Sequence, residues 1–86
     1  MIKFKLVTPE KLILEGEAES IICPGSVGEL GFLPSHAPFL TTIGKGTLRI
    51  NQEKSQKEFE IEDGFCEVLP DKVTILADKV ILTTFN

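Results

Sequence analysis

The chain has 86 residues, a formal net charge of −4, and neither tryptophan nor tyrosine. A chain of this length forms one domain, which we place at residues 1–86. The negative net charge argues against nucleic acid or an anionic lipid surface as a direct partner, because both are bound by clustered lysine and arginine. No segment approaches the roughly 20 apolar residues that a membrane span needs. At the N-terminus Lys3 and Lys5 alternate with apolar residues, which predicts a strand and not a signal peptide.

Apolar and polar residues alternate with a period of two through much of the chain. This pattern predicts strands with one face in a core and the other facing water or a partner. The positions predicted to face the core are, in chain order, Ile2, Phe4, Leu6, Leu48, Ile50, Phe59, Ile61, Val73, Ile75 and Ala77.

Turn-forming residues separate these strands at short intervals. They lie at positions 8–11, 15–16, 24–25, 44–46, 63–64 and 70–72. Many short strands with this spacing predict an all-β sandwich or barrel. We favour a β-sandwich of two packed, mainly antiparallel sheets.

Residues 24–38 interrupt the alternation with three of the five prolines and three of the seven glycines of the chain. Two interpretations remain open: a pair of tight loops around one short strand, or a surface shaped to bind a partner on a rigid scaffold. The spacing of Gly25, Gly28 and Gly31 matches neither phosphate-binding motif, and no helix is predicted after it.

The residue types offer no catalytic or cofactor-binding constellation. His36 is the only histidine, and on extended backbone the adjacent Ser35 points to the opposite face, so the two cannot form a nucleophile and base pair. His36 is therefore a packed or solvated loop residue, or a donor that contacts a partner. We expect no small-molecule ligand.

The sequence also predicts no metal site. Glu58, Glu60 and Glu62 share one face of a strand, which favours a solvated acidic surface, with a Mg²⁺ or Ca²⁺ site as the alternative. Cys23 and Cys66 lie far apart in the sequence, and we interpret them as buried free thiols. A disulfide remains possible, since there are two cysteines. Zinc is excluded because one histidine and two distant cysteines cannot supply four ligands.

Three stretches together resemble the epsilon subunit of F-type ATP synthases. The first is VTPEK at 7–11, followed by GE at 16–17. The second is PGSxGELGxLPxHAP at 24–38, followed by GxLRI at 46–50. The third is DGFxEVxPDxVTILA at 63–77. The resemblance covers nearly the whole chain in the same order, and its second block is the most specific.

The resemblance implies a sandwich of about ten short strands at the foot of the central stalk. It implies a rotor subunit that binds the gamma subunit and the c-ring and couples ion flow to ATP synthesis without catalysis of its own. By resemblance, the c-ring contacts are Ser26, Gly28, Glu29 and Leu30. The gamma contacts are His36, Ala37, Phe39, Leu40 and Thr41.

Three residues depart from the family pattern: Cys23, Val27 and Ser35. Longer members continue into a helical hairpin, whereas here Lys79–Asn86 is β-branched and aromatic, which predicts a final strand that buries Val80 and Leu82. We expect a naturally short form that lacks the C-terminal helical domain, with a fragment of a longer chain as the alternative. The resemblance implies the cytoplasmic face of a bacterial plasma membrane, reached through the complex. The alternative function is a free-standing β-sandwich interaction module with another partner.

Overall fold

The computed structural model describes residues 1–26, 28–32 and 38–85, and for residues 29, 30, 32, 39, 84 and 85 it describes the backbone alone. Within these residues the chain forms eight strands and no helix. The strands are β1 (Ile2–Val7), β2 (Leu12–Ala18), β3 (Ser20–Gly25), β4 (Gly28–Phe32), β5 (Phe39–Ile43), β6 (Gly46–Gln52), β7 (Ser55–Leu69) and β8 (Lys72–Phe85).

One hydrogen-bonded sheet contains these strands in the order β2-β1-β8-β7-β5-β3-β4, and β6 pairs with both β3 and β7. β1 and β8 run parallel, whereas the other pairs are antiparallel. The sheet folds back on itself because β7 pairs with β6 through residues 55–61 and with β5 through residues 64–68. The predicted all-β sandwich is confirmed, and a single continuous sheet forms both of its packed layers.

We name the two halves of this sheet the first and second layers. The first layer contains β1, β2 and β5 with residues 64–69 of β7 and 72–77 of β8. The second contains β3, β4 and β6 with residues 55–62 of β7 and 79–85 of β8. Because β7 and β8 are 15 and 14 residues long and each enters both layers, the eight strands supply ten segments.

The passage from one layer to the other occurs at Asp63 and Gly64. Their φ angles are 51° for Asp63 and 155° for Gly64. The turn predicted at 63–64 is wrong, because β7 continues through both residues and Gly64 is paired with Ala77 on β8. Inward positions on β7 shift from Phe59 and Ile61 to Cys66 and Val68 across this corner. The inward positions on β8 shift in the same way, from Ala77 to Val80, so the register between β7 and β8 is preserved.

The turn predicted at 15–16 is wrong as well. Gly16 lies inside β2 and is paired with Phe4 on β1. A Cβ on Gly16 would stand 3.7 Å from the Phe4 ring, so the ring covers the space that the missing side chain leaves. This cross-strand partner cannot be seen in the local sequence.

The core lies between the two layers and is built from the predicted alternation. All ten positions from Ile2 to Ala77 that the alternation placed in the core are buried, with at most 4% of their surface exposed. Cys23 and Cys66 are free, are fully buried and belong to the same core cluster, which confirms the interpretation as buried thiols. The remaining buried members of that cluster are Ala18, Ile21, Ile43 and Val68.

The final strand forms as predicted, but its side chains are less covered than expected. Val80 is half-buried and packs against the core, whereas Leu82 is 52% exposed. β1 pairs with β8 only as far as Leu76, so among the described strands none pairs with the outer edge of β8 beyond the corner. The prediction that Leu82 is buried is therefore wrong.

Candidate interaction surfaces

The hairpin formed by β3 and β4 carries the residues predicted to contact the c-ring. Gly25 pairs with Gly28 at its tip, Glu29 pairs with Pro24, and Leu30 pairs with Cys23. Gly28 has a φ of 144° and would meet nothing within 4 Å if it carried a Cβ. Ser26 is exposed, and the side chains of Glu29 and Leu30 lie outside the described residues. The backbone thus brings all four predicted positions onto one hairpin.

Strand β5 carries part of the set predicted to contact the gamma subunit. Leu40 is opposite Glu67 and is 66% exposed on the outer face of the first layer. Thr41 is opposite the buried Cys66 and is half-buried. Adjacent strand residues point to opposite faces, so Leu40 and Thr41 do not share a surface. His36 and Ala37 lie outside the described residues, as does the side chain of Phe39.

The outer face of the first layer also carries apolar residues that sequence reasoning missed. The strand register aligns Leu12, Val7, Leu76 and Phe65 across β2, β1, β8 and β7, and we call these four residues the apolar row. Phe65 is 51% exposed, Leu12 48% and Leu76 37%. Contiguous exposed apolar surface marks interaction sites in soluble proteins. The alternation around Leu76 indicated its outward direction, but that of Phe65 depends on the corner at Gly64.

Glu58, Glu60 and Glu62, which we call the acidic stripe, lie on the outer face of the second layer. Their carboxylates have partners on neighbouring strands or turns. Arg49 Nε lies 3.2 Å from Glu58 Oε2, and Thr47 Oγ1 donates to Glu60 Oε2 over 2.5 Å. Glu62 lies 3.3 Å from Lys45 Nζ and 3.8 Å from Lys79 Nζ. These pairings favour the interpretation as a solvated surface.

Among the residues that the structure describes, no group of three or more histidine, cysteine or acidic side chains could hold a metal ion. A shallow open depression of about 560 Å³ lies on the first layer, where the three lysines Lys3, Lys5 and Lys72 lie among three acidic residues, Glu15, Glu17 and Asp71. Opposite charges face one another across the strands there, which gives the depression no excess charge to select a charged ligand. The described ranges also contain no helix long and apolar enough to cross a membrane.

Cys23 and Cys66 meet in the core from different layers. Hydrogen bonding to the Cys23 side chain, together with burial, raises the pKa of the Cys66 thiol well above its usual range. A thiol that stays protonated is a poor nucleophile and a poor metal ligand. Cys66 therefore serves packing and offers no reactive group.

Residues 1–83 match the model of the family described as ATP synthase, Delta/Epsilon chain, beta-sandwich domain. The chain is 40% identical over 77 residues to the ATP synthase epsilon chain of Leptospira interrogans serovar copenhageni, covering 90% of this chain and 61% of that one. It is 38% identical over 78 residues to the ATP synthase epsilon chain of Caulobacter vibrioides, covering 91% of each. The chain thus spans about three-fifths of the Leptospira relative, and nearly all of the Caulobacter one.

Two solved structures have the same fold. One is the mitochondrial ATP synthase of Euglena gracilis (OSCP, F1 and c-ring), in which a chain aligns with a TM-score of 0.87 at 24% identity, covering 94% of this chain and 52% of that one. The other is the central stalk and c-ring of the Tetrahymena thermophila mitochondrial ATP synthase, with a TM-score of 0.79 at 17% identity, covering 93% and 65%.

Proposed function

Since the chain belongs to the family of ATP synthase delta and epsilon chain β-sandwich domains, we propose that it is a central-stalk subunit of an F-type ATP synthase. In this role it binds the gamma subunit and the c-ring, and couples ion translocation to ATP synthesis. The family match over residues 1–83 carries the proposal, because it includes every strand on which the two candidate surfaces lie. The subunit acts at the cytoplasmic face of a bacterial plasma membrane, where it is peripheral to the membrane through the complex.

The gamma subunit covers the outer face of the first layer in this proposal. Leu40 and three members of the apolar row, Leu12, Leu76 and Phe65, support this placement, since they are among the large apolar side chains that this face leaves in water. Interface energy concentrates in a few well-packed side chains, each of which costs about 2 kcal/mol or more on truncation. The contact is extended by the residues before Leu40 in the sequence, His36, Ala37 and Phe39. Thr41 lies on the inward side of β5 and supports this strand.

The c-ring contacts the tip of the β3–β4 hairpin through Ser26, Gly28, Glu29 and Leu30. The support is the exposed position of Ser26 and the open space around Gly28, which let a second protein surface approach the backbone. The carboxylate of Glu29 pairs with polar or basic groups of the ring. Exposed ion pairs contribute only about 0.2–1 kcal/mol, so this contact tunes coupling and does not by itself hold the complex together.

The chain supplies no catalytic group of its own in this proposal. The carboxylates of Glu58, Glu60 and Glu62 contact neighbouring cations or hydroxyls, and the buried Cys66 thiol is held protonated. ATP hydrolysis and synthesis therefore remain with other subunits of the complex.

Binding measurements with the purified chain test the proposal. The chain is titrated by calorimetry against the gamma subunit, and separately against the detergent-solubilised c-ring, of the same organism. We expect both partners to bind. Leu40→Ser weakens binding to gamma by tenfold or more, the effect of losing about 1.4 kcal/mol, and Glu60→Gln on the opposite layer is the matched control.

Glu29→Gln lowers the coupling ratio of proton pumping to ATP turnover at low salt and has less effect at high salt.

Absence of binding to gamma would overturn the rotor assignment. It would favour the alternative function, a β-sandwich interaction module with a different partner. Equal loss of affinity in Leu40→Ser and Glu60→Gln would contradict the placement of gamma on the first layer.

A further inference from the structure

The tip of the β3–β4 hairpin is tied to the end of β5 by a cluster of hydrogen bonds. The Ser26 amide donates to the Thr42 carbonyl over 3.3 Å, and the Gly44 amide donates to the Pro24 carbonyl over 2.9 Å. The hydroxyls of Ser26 and Thr42 are hydrogen-bonded, with Oγ 2.7 Å from Oγ1. A single ladder pair, Gly25 with Ile43, lies between these contacts.

Glycines allow this close approach. A Cβ on Gly44 would lie 3.2 Å from the Gly25 carbonyl oxygen and 3.2 Å from the Ser26 Cα. A Cβ on Gly46 would lie 2.8 Å from the Pro24 Cβ. The segment that joins β5 to β6 therefore reverses the chain and also packs against the tip of the hairpin.

The hairpin has little other lateral support near its tip. β4 is the last strand in the sheet order and pairs only with β3 among the strands described. β3 in turn is held by β6 through residues 20–22 alone. Beyond that point, the backbone contacts that join the hairpin to the first layer are the ladder pair at Gly25 and the hydrogen bonds of Ser26 and Pro24.

Thr42 belongs to both candidate surfaces. It is exposed on the outer face of the first layer opposite Phe65, next to the apolar row, while its hydroxyl reaches Ser26 at the hairpin tip. We infer that the Ser26–Thr42 contact is a positioning device that fixes the hairpin relative to the gamma-binding face, so that force on the hairpin passes into the first layer. This inference rests on the proposed function, since the force is that of the c-ring.

The positioning step is tested on the 86-residue chain with spin labels at Glu29→Cys on the hairpin and Thr74→Cys on the first layer. We expect a narrow distance distribution in the parent protein. Thr42→Val removes the hydroxyl while keeping the side-chain shape, and it raises the population of displaced hairpins about fivefold, the effect expected from losing one such hydrogen bond. Ser26→Ala gives the same result, the double variant adds nothing further, and Thr42→Ser restores the narrow distribution.

An unchanged distribution in Thr42→Val, or additive effects in the double variant, would overturn the positioning role. A merely structural role would lower stability without rescue by Thr42→Ser. The force-transmitting role is measured in the assembled ATP synthase, where Thr42→Val lowers proton pumping per ATP hydrolysed and Thr42→Ser does not. A displaced hairpin with unchanged pumping would contradict this part. If the chain binds neither gamma nor the c-ring, the proposed function fails while the spin-label result on the contact stands.

Discussion

Gly64 lies so close to the backbone of Leu76 that a Cβ on Gly64 would stand 1.8 Å from the Leu76 carbonyl oxygen. This contact is where β7 turns from one layer to the other while it remains paired to β8. With a φ of 155° as well, no L-amino acid side chain fits the position without moving the two strands apart.

We therefore expect Gly64→Ala to be among the most destabilising substitutions in the chain. Forced backbone strain costs about 1–3 kcal/mol, and separating the central strand pair adds to it. The free energy of unfolding, measured by urea denaturation, shows the loss. Gly31→Ala is the matched control, because a Cβ there would meet nothing within 4 Å. Similar losses in the two variants would contradict the corner geometry.

Two phenylalanines on β7 provide a paired test of the sandwich and of the gamma-binding face. Phe59 is 4% exposed and Phe65 is 51% exposed. Phe59→Ala should lower the free energy of unfolding by about 3–5 kcal/mol, the usual cost of emptying a buried aromatic site. Phe65→Ala should cost much less in the isolated chain and should weaken binding to the gamma subunit. A large stability loss in Phe65→Ala, with unchanged gamma binding, would remove the apolar row from the interface.

The acidic stripe should behave as a solvated surface. Glu58→Gln breaks the ion pair with Arg49, and Glu60→Gln replaces an acceptor of the Thr47 hydroxyl. Each should change the free energy of unfolding by less than about 1 kcal/mol, and the Glu58 effect should shrink at high salt. Millimolar Mg²⁺ or Ca²⁺ should raise Tm no more than KCl of equal ionic strength. A rise specific to the divalent ion, lost in Glu60→Gln, would establish the metal alternative.

The Cys66 thiol should make stability fall at high pH. Its pKa is raised in the folded state by hydrogen bonding to Cys23 and by burial, whereas the thiol of the unfolded chain loses its proton above about pH 8.5. The native state then binds more protons than the unfolded state, so the stabilisation is complete below that pH and declines above it. We expect urea denaturation to show a fall of about 1.4 kcal/mol per pH unit from this group.

Cys66→Ala should remove this contribution while lowering stability equally at all pH values through the lost packing. The two proteins differ only at this residue, so the difference between the two curves isolates the thiol. Parallel curves from pH 7 to 10 would contradict the raised pKa. In the native protein Cys66 should also resist alkylation until the chain is unfolded.

The sequence by itself determined the strand faces and the family. Side chains alternate along any strand, so the predicted core positions, from Ile2 to Ala77, could be assigned from the local pattern alone. The glycine- and proline-rich block at 24–38 was sufficient to indicate a break in the alternation and to support the family resemblance. These features depend on residues close together in the chain.

Only the tertiary structure decided where those faces point relative to one another. The shift of inward positions at Gly64 occurs because two paired strands bend together, and it turns Phe65 outward and Cys66 inward. Pairing of β3 with β5 likewise brings Ser26 to Thr42 across 16 residues of sequence. Such relationships are set by long-range strand pairing, which no local periodicity contains.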